Sequence, residues 1–469
     1  MTTKPCFPEL TQFRQELYQN FNNRADTLME LVDAICSNPH ARSVVEYSLT
    51  PCFRRSYSTL FKALAEETWA EQKHLRTLAP YLPKPKDRPF WLLGVDVTPQ
   101  PRPFAKTLSD RGMVYQPNTV AGNKPVTVGH AYSCVSLLPE PEAQVSSSWV
   151  VPLLMRRVGT HEDKEIVGAN QIATLLDDEQ LPWAKAFCVD VGDTSYSKPA
   201  YLHSNRHQQN LVTLTRVCGT RTFYQQPVIP DQEKSPGHPT WYGQPFSLKD
   251  ASTWPEPAET LTLTERSRRG KMYRVPIQAW PNLLMRGQQK PARRAMHHHP
   301  FTLVRIVRYD EKGQPVYKRP LWLLVMGTRR HELSLLQIYQ AYSQRYNLEH
   351  FFRFGKQRLL LADFQTPETS REETWWRLVS LVYDQLWLAR HVVQMLPRPW
   401  ERHLPTMKTQ QVSPSLVQRD FGRIIRQLGT PAKPPKPRGI SPGRRKDTKL
   451  PPRPRPKVVV KGVTKANSP

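Results

Sequence analysis

The sequence holds 469 residues, with 67 Lys and Arg against 40 Asp and Glu and a formal net charge of +27. Such an excess points to a polyanionic partner, nucleic acid before a membrane surface. No apolar run is long enough to span a bilayer and Met1 opens no signal-peptide pattern, while 38 % hydrophobic residues and 12 Trp exclude a merely basic disordered chain.

In chain order, residues 1–80 are predicted helical. "FPELTQFRQELYQNF" and "RADTLMELVDAICS" carry apolar positions at three- and four-residue steps. "RRSYSTLFKALAEE" is a third helix, with Ser56 or Ser58 as its cap. Arg54 and Arg55 leave two roles open for this domain, DNA binding or packing. "KPKDRP" breaks the pattern. "FWLLGVDVT", "VGHAYSCVSLL", "SWVVPLLMRRV", "AFCVDVGDTSY" and "NLVTLTRV" then read as strands, with "NQIATLLDDEQL" as a helix among them. That succession predicts an α/β fold with a mixed sheet.

Residues 219–315 are rich in Pro, Gly and Trp, as in "PDQEKSPGHPTWYGQPF", and read as a β-rich insertion. "FTLVRIVRYD" and "RPLWLLVMG" are strands, "AYSQRYNLEHFFRFGK" a helix, and "REETWWRLVSLVYDQLWLARHVVQML" a long amphipathic helix or pair of helices. The segment from 401 to 469 is expected to be a disordered basic tail that holds phosphate without regard to sequence, most clearly from 430 on, where "PAKPPKPRG" and "PPRPRPK" cannot build a core. The cysteines Cys6, Cys36, Cys52, Cys134, Cys188 and Cys218 form no C-x-x-C pair. This speaks against a zinc ribbon. Several of them sit in apolar runs and are expected to be buried thiols, which suits a reducing cytoplasm. His297, His298 and His299 cannot all face one ion from a strand or helix, so an exposed loop is expected there.

Three carboxylates carry the chemistry. Asp96 and Asp193 each end an apolar strand, where sites form in α/β sheets. Asp190 lies three residues before Asp193 and so faces the other side of the strand. Glu349 comes from the helix over 341–356. On a continuous helix Tyr342, Arg345, Glu349, Arg353 and Lys356 fall within roughly 80° of arc. That face is either solvated, with an i,i+4 Glu–Arg pair, or it holds a carboxylate that meets a polyanion through a metal ion. Two strand-end acids and one helix acid fit a site for two divalent ions.

The residues Tyr342, Arg345, Glu349 and Lys356 match the Y-x2-R-x3-E-x6-K signature of bacterial insertion-sequence DDE transposases. "GVDVT" resembles that family's first-aspartate strand and "VGDTSYS", with Asp193 and Tyr196, its second-aspartate motif. The whole chain is similar to an actinobacterial and cyanobacterial group of these enzymes, through "FRQELY", "RADTLMELVDA", "LEHFFRFGKQ" and the basic tail. The resemblance implies a ribonuclease-H-like fold flanked by helices, with the β insertion between Asp193 and Glu349. Its parts would be an N-terminal helical domain (1–80), a split core (81–218 and 316–400), the insertion (219–315) and the tail (401–469). It implies Mg2+, with Mn2+ as a substitute, on Asp96, Asp193 and Glu349. It implies phosphate contacts from Tyr342, Arg345, Arg353 and Lys356, and Trp322 stacking on a flipped base, although a Trp in an apolar strand is also a core residue. The expected partners are double-stranded DNA, at transposon ends and target, and a second copy in a homodimeric synaptic complex on the bacterial nucleoid. A DNA-binding descendant that no longer cuts and a structure-selective nuclease are the rival readings.

Overall fold

The apolar runs form the strands, and the elements follow in the expected order. The computed structural model describes residues 7–116, 124–141, 149–227, 241–267, 269–290, 292–395, 398–401, 412–437 and 452–460. Helices α1 (Pro8–Asn20), α2 (Ala25–Ser37), α3 (Tyr57–Glu66) and α4 (Glu71–Leu78) precede strand β1 (Trp91–Pro101). There follow β2 (Gly112–Tyr115), β3 (Val126–Leu137), β4 (Val151–Val158), α5 (Lys164–Asp177), β5 (Cys188–Gly192), α6 (Pro199–Ser204) and β6 (Leu211–Arg216). Residues 219–315, read from the sequence as an insertion, supply β7 (Thr222–Tyr224), β8 (Pro245–Ser247), β9 (Glu259–Arg266), β10 (Met272–Leu283) and β11 (Phe301–Ile306). Then come β12 (Leu321–Met326), α7 (Leu335–Gln344), α8 (Tyr346–Arg358), α9 (Thr369–Met395) and α10 (Pro414–Leu428). The class is mixed α/β, with parallel and antiparallel strands in one sheet and helices against it, as a ribonuclease-H-like fold requires. Cys6 and the whole "PDQEKSPGHPT" stretch lie outside the described residues.

The chain divides into two units, each assembled from separate segments. One comprises Lys84–Asp96 and Lys164–Tyr346. Here β1 and β5 run parallel, as do β5 and β6. From β6 the sheet continues antiparallel through β12, β11, β10 and β9. All five residues of β5 are buried, which is why "CVDVG" is apolar at both parities except for Asp190. Burial also decides the role of Trp322. It is 1 % exposed and packs edge-on against Trp254, with ring centroids 5.3 Å apart, and at 5.9 Å from Trp280. The stacking role expected for Trp322 does not fit this packing: an indole buried against Trp254 and Trp280 shows no open face to a base.

The other unit comprises Met1–Pro83, Val97–Asp163 and Asn347–Pro469. It groups the N-terminal helices with β2, β3, β4 and α8 to α10. The 27-residue α9 runs through its core, with Trp375, Trp376, Tyr383 and Trp387 all buried. A helix apolar on every side needs neighbours all round, and α1, α2, α3, α10 and β4 supply them. Several buried charges inside this unit are matched. Arg14 donates to Asp33 and, at 2.9 Å, to Gln385. Glu372 accepts from Arg102 at 3.1 Å, from His130 Nδ1 at 2.6 Å and from Tyr132 at 2.9 Å. Arg54 and Arg55 both donate to the buried Glu30, so of their two open roles the structure supplies the packing one. Ser56 occupies the N-cap position of α3 without a capping bond from its side chain.

The tail differs from expectation in two places. Residues 414–428 are the helix α10, N-capped by Ser413, whose apolar stripe of Val417, Phe421, Ile424 and Ile425 is buried. Farther on, Val459 N donates to Arg111 O at 2.9 Å and Val459 forms a parallel bridge with Gly112 on β2.

Candidate active site

The site is built first by register. Trp91 pairs with Cys188 and Gly94 with Val191 in the parallel β1–β5 ladder. Carried two residues further, the same register sets Asp96 beside Asp193. The β5–β6 ladder pairs Gly192 with Thr215, and one more step sets Arg216 beside Asp193. Adjacent strands lie about 4.8 Å apart, so two acids and an arginine share one strand-end row. Residues at equal register point to the same face, and Asp190 points to the other.

Local chemistry separates the two aspartates of β5. Asp190 is fully buried, and both its oxygens are engaged, by Tyr201 at 2.5 Å and Thr213 at 2.7 Å. Burial pushes its pKa up to about 6 against those two hydrogen bonds. Asp193 is half-buried and caps the following short 3-10 turn, its Oδ1 accepting from Ser195 N at 2.8 Å and Ser195 Oγ at 2.5 Å. The motif's aromatic, Tyr196, is a packing residue. A Cβ placed on Gly192 would meet its Cβ at 2.8 Å, so glycine is needed where the chain turns out of β5.

Cations surround this row within the same unit. Arg345 donates to Asp96 Oδ2 at 3.3 Å, and its guanidinium lies 5.9 Å from the Tyr342 ring centroid. Burial pushes the Tyr342 hydroxyl's pKa up, Arg345 and Arg216 pull against it, and Asp193 adds to the rise. The phenol therefore stays protonated at neutral pH. Arg216 was missed in the sequence because nothing local marks it. Only the β5–β6 pairing brings it to the row.

The single helix expected over 341–356 is two. Helix α7 ends at Gln344 and α8 starts at Tyr346, with Arg345 between them in helical conformation, φ −50° and ψ −33°. Tyr342 and Arg345 thus belong to one unit, while Glu349, Arg353 and Lys356 follow in the other. The last three still share a face of α8, since steps of four and three residues keep them within about 60°. Glu349 sits in the first turn of α8, where the helix dipole favours a carboxylate. Arg353 is exposed. Lys356 is tied down, donating to Thr98 Oγ1 at 2.6 Å and Pro99 O at 2.8 Å. Burial lowers its pKa to about 8, with Asp363 pulling the other way.

Among the described residues no three or more His, Cys, Asp or Glu side chains stand together as a ready metal-binding group. The donor chemistry of the strand-end row nonetheless fits one. Asp96 and Asp193 offer hard carboxylate oxygens side by side, the ligands that Mg2+ and Mn2+ take. Two such charges repel unless a cation stands by them, and here Arg345 meets Asp96.

A family model described as DDE superfamily endonuclease matches residues 16–280. The match spans more than half of the chain, and the chain belongs to that family. DNA is the implied substrate and divalent-metal hydrolysis the implied chemistry. The matched stretch contains Asp96, Asp193 and Arg216 and ends before α7 and α8. A comparison with curated proteins finds no match. Among the described residues no helix is long and apolar enough to cross a membrane.

Proposed function

We propose that the protein is a DNA transposase that cuts at the ends of a mobile element and joins the freed 3′-hydroxyl to target DNA. The observation that supports this most is the strand-end row of Asp96, Asp193 and Arg216 with Arg345 and Tyr342 beside it, in a chain of the DDE endonuclease family. Asp96, Asp193 and Glu349 are the residues that would hold Mg2+, or Mn2+ in its place. The bound ions would supply activation of water or of the 3′-hydroxyl and stabilisation of the leaving oxygen. Asp193 is favoured over Asp190, whose oxygens are already taken by Tyr201 and Thr213.

The other residues position the substrate. Arg345 neutralises Asp96 in the absence of DNA and offers its guanidinium to a phosphate when DNA is bound. The protonated Tyr342 hydroxyl donates to a phosphate oxygen, and the exposed Arg353 adds charge on the Glu349 face of α8. Lys356 fixes α8 to the far half of β1 through Thr98 and Pro99, and so orients that face. Such contacts place the backbone without reading bases. Together these parts give the Y-R-E-K set its physical content. Synapsis of two ends calls for a homodimer on DNA. The test is incubation with Mg2+ of labelled duplex taken from paired inverted repeats around the gene, together with a target plasmid. Joined product is expected. Binding without cutting in Mg2+ or Mn2+ would make the protein a DNA-binding descendant, and cutting without joining a nuclease.

A further inference from the structure

The three consecutive histidines remain unexplained by the strand-end row. They lie in a turn, as expected, with His298 exposed and His297 and His299 half-buried against neighbours. His297 stacks on Trp241, with centroids 4.1 Å apart and planes 3° apart. His299 meets His203, at the end of α6, edge-on at 6.0 Å. Arg206 donates to His203 O at 2.6 Å, and its NH1 lies 3.1 Å from His203 Nδ1. A guanidinium only donates, so Nδ1 accepts and the His203 proton sits on Nε2.

Register places this cluster at the other end of the same sheet. Phe301 pairs with Met326 and Met326 with Thr213, so the residues just before Phe301 lie toward the Leu211 end of β6. Arg216 and the carboxylate row lie at the opposite end. At about 3.3 Å per residue, β6 separates the two ends by roughly 17–20 Å, about six base pairs of duplex. The charges around the cluster are of one sign. Those that act on His203 are Arg206, His299, Arg294 and His207, and those that act on His299 are Arg206, His298, His207 and His297. Burial first, and then these neighbours, lower the pKa of both His203 and His299, so the imidazoles are neutral and the standing charges are the guanidiniums of Arg206 and Arg294, which a polyanion would satisfy. A metal reading is not supported, since these side chains form no metal-binding group among the described residues.

We propose that the end of α6 and the 297–299 turn form a second contact for the duplex phosphate backbone, with Arg206 and Arg294 supplying charge and the histidine N–H groups supplying donors. The surface rests on the reading of DNA as substrate and extends the footprint away from the scissile phosphate. It holds DNA without touching the reacting atoms.

The test uses the full chain and a fluorescent 30-base-pair duplex, with anisotropy followed across a salt series. Arg206→Ala with Arg294→Ala should weaken binding about tenfold at 150 mM salt and make the log–log salt slope shallower by roughly 2, the value for two phosphates. Arg206→Lys with Arg294→Lys should restore most of that slope. Cleavage of a saturated complex should keep its rate. An unchanged slope and affinity in the alanine pair, with the wild type binding normally, would overturn this surface alone. A wild-type chain that binds no duplex would overturn the proposed function and this surface with it. Stoichiometric Zn2+ binding that vanishes in His203→Gln with His299→Gln would make the cluster a metal site and overturn it as well.

Discussion

The two units use the same residue types in opposite ways. In the unit that holds α9, two acids are sealed in with their partners. Glu30 and Glu372 are 0 % exposed, and each is met by arginine, with His130 and Tyr132 also on Glu372. In the unit that holds β5 and β6, Asp96 and Asp193 stand half-buried at strand ends, adjacent to each other and to cations from separate elements. A sealed pair fixes a fold, and its arginines are not available to a ligand. A half-buried row of two acids with cations beside it is held in place by the strands, and its charges can still meet a ligand. Charge alone does not mark a site; charge left at a rim does.

The sharpest break of that comparison is removal of single carboxylates. Asp96→Asn, Asp193→Asn and Glu349→Gln should each lower cleavage in Mg2+ by on the order of a thousandfold or more, with end binding kept in gel shifts. Asp190→Asn should still cut, because its side chain faces Tyr201 and Thr213. If Asp190→Asn alone stops cleavage, the other face of β5 carries the second ligand.

The opposite expectation holds for the sealed pairs. Arg14→Met leaves Asp33, only 1 % exposed at its side chain, as an uncompensated buried charge, which costs about 3–5 kcal/mol. Denaturant melts should show this loss, and any cutting defect should follow the unfolded fraction. A stable variant with a specific cutting defect would place Arg14 in function after all.

Smaller effects should come from the positioning cations. Arg345→Ala should slow single-turnover cleavage about ten- to hundredfold, the loss of a charge-assisted phosphate contact. An unchanged rate would make Arg345 only a partner of Asp96.

Two pH effects are smaller still. With its pKa near 8, Lys356 loses its charge as pH rises past that value. Cleavage of a pre-formed complex should then decline above pH 8, and Lys356→Arg should flatten the decline. Asp190 has a folded-state pKa raised to about 6, so the stability linked to its protonation is present below the unfolded carboxyl value near 3.8. That stability is lost as pH rises through about 6. The melting temperature of Asp190→Asn should therefore gain on the wild type between pH 4 and 7. A constant difference would mean that Asp190 does not titrate there.

Much of this was legible because it is local. An apolar run that ends in an acid could be read at Asp96 and at Asp193, and the opposite facing of Asp190 follows from strand period alone. What was missed is set by distant partners. Arg216 takes meaning only from the β5–β6 register. Trp322 looked equally at home in core or groove until Trp254 and Trp280 closed around it. The α7–α8 break hid because Arg345 keeps helical angles, so the apolar period runs on across it. Helix α10 had local signals, Ser413 before Pro414 and an apolar stripe every three to four residues. The proline and arginine content around it outweighed them.

The bridge between Val459 and Gly112 covers an edge. Strand β2 stands first in the sheet order, with β3 on one side, and on its other side Val459 N donates to Arg111 O at 2.9 Å. An unpaired edge is a template on which a second chain can add. With that position filled by a residue of its own chain, β2 offers less backbone for edge-to-edge aggregation.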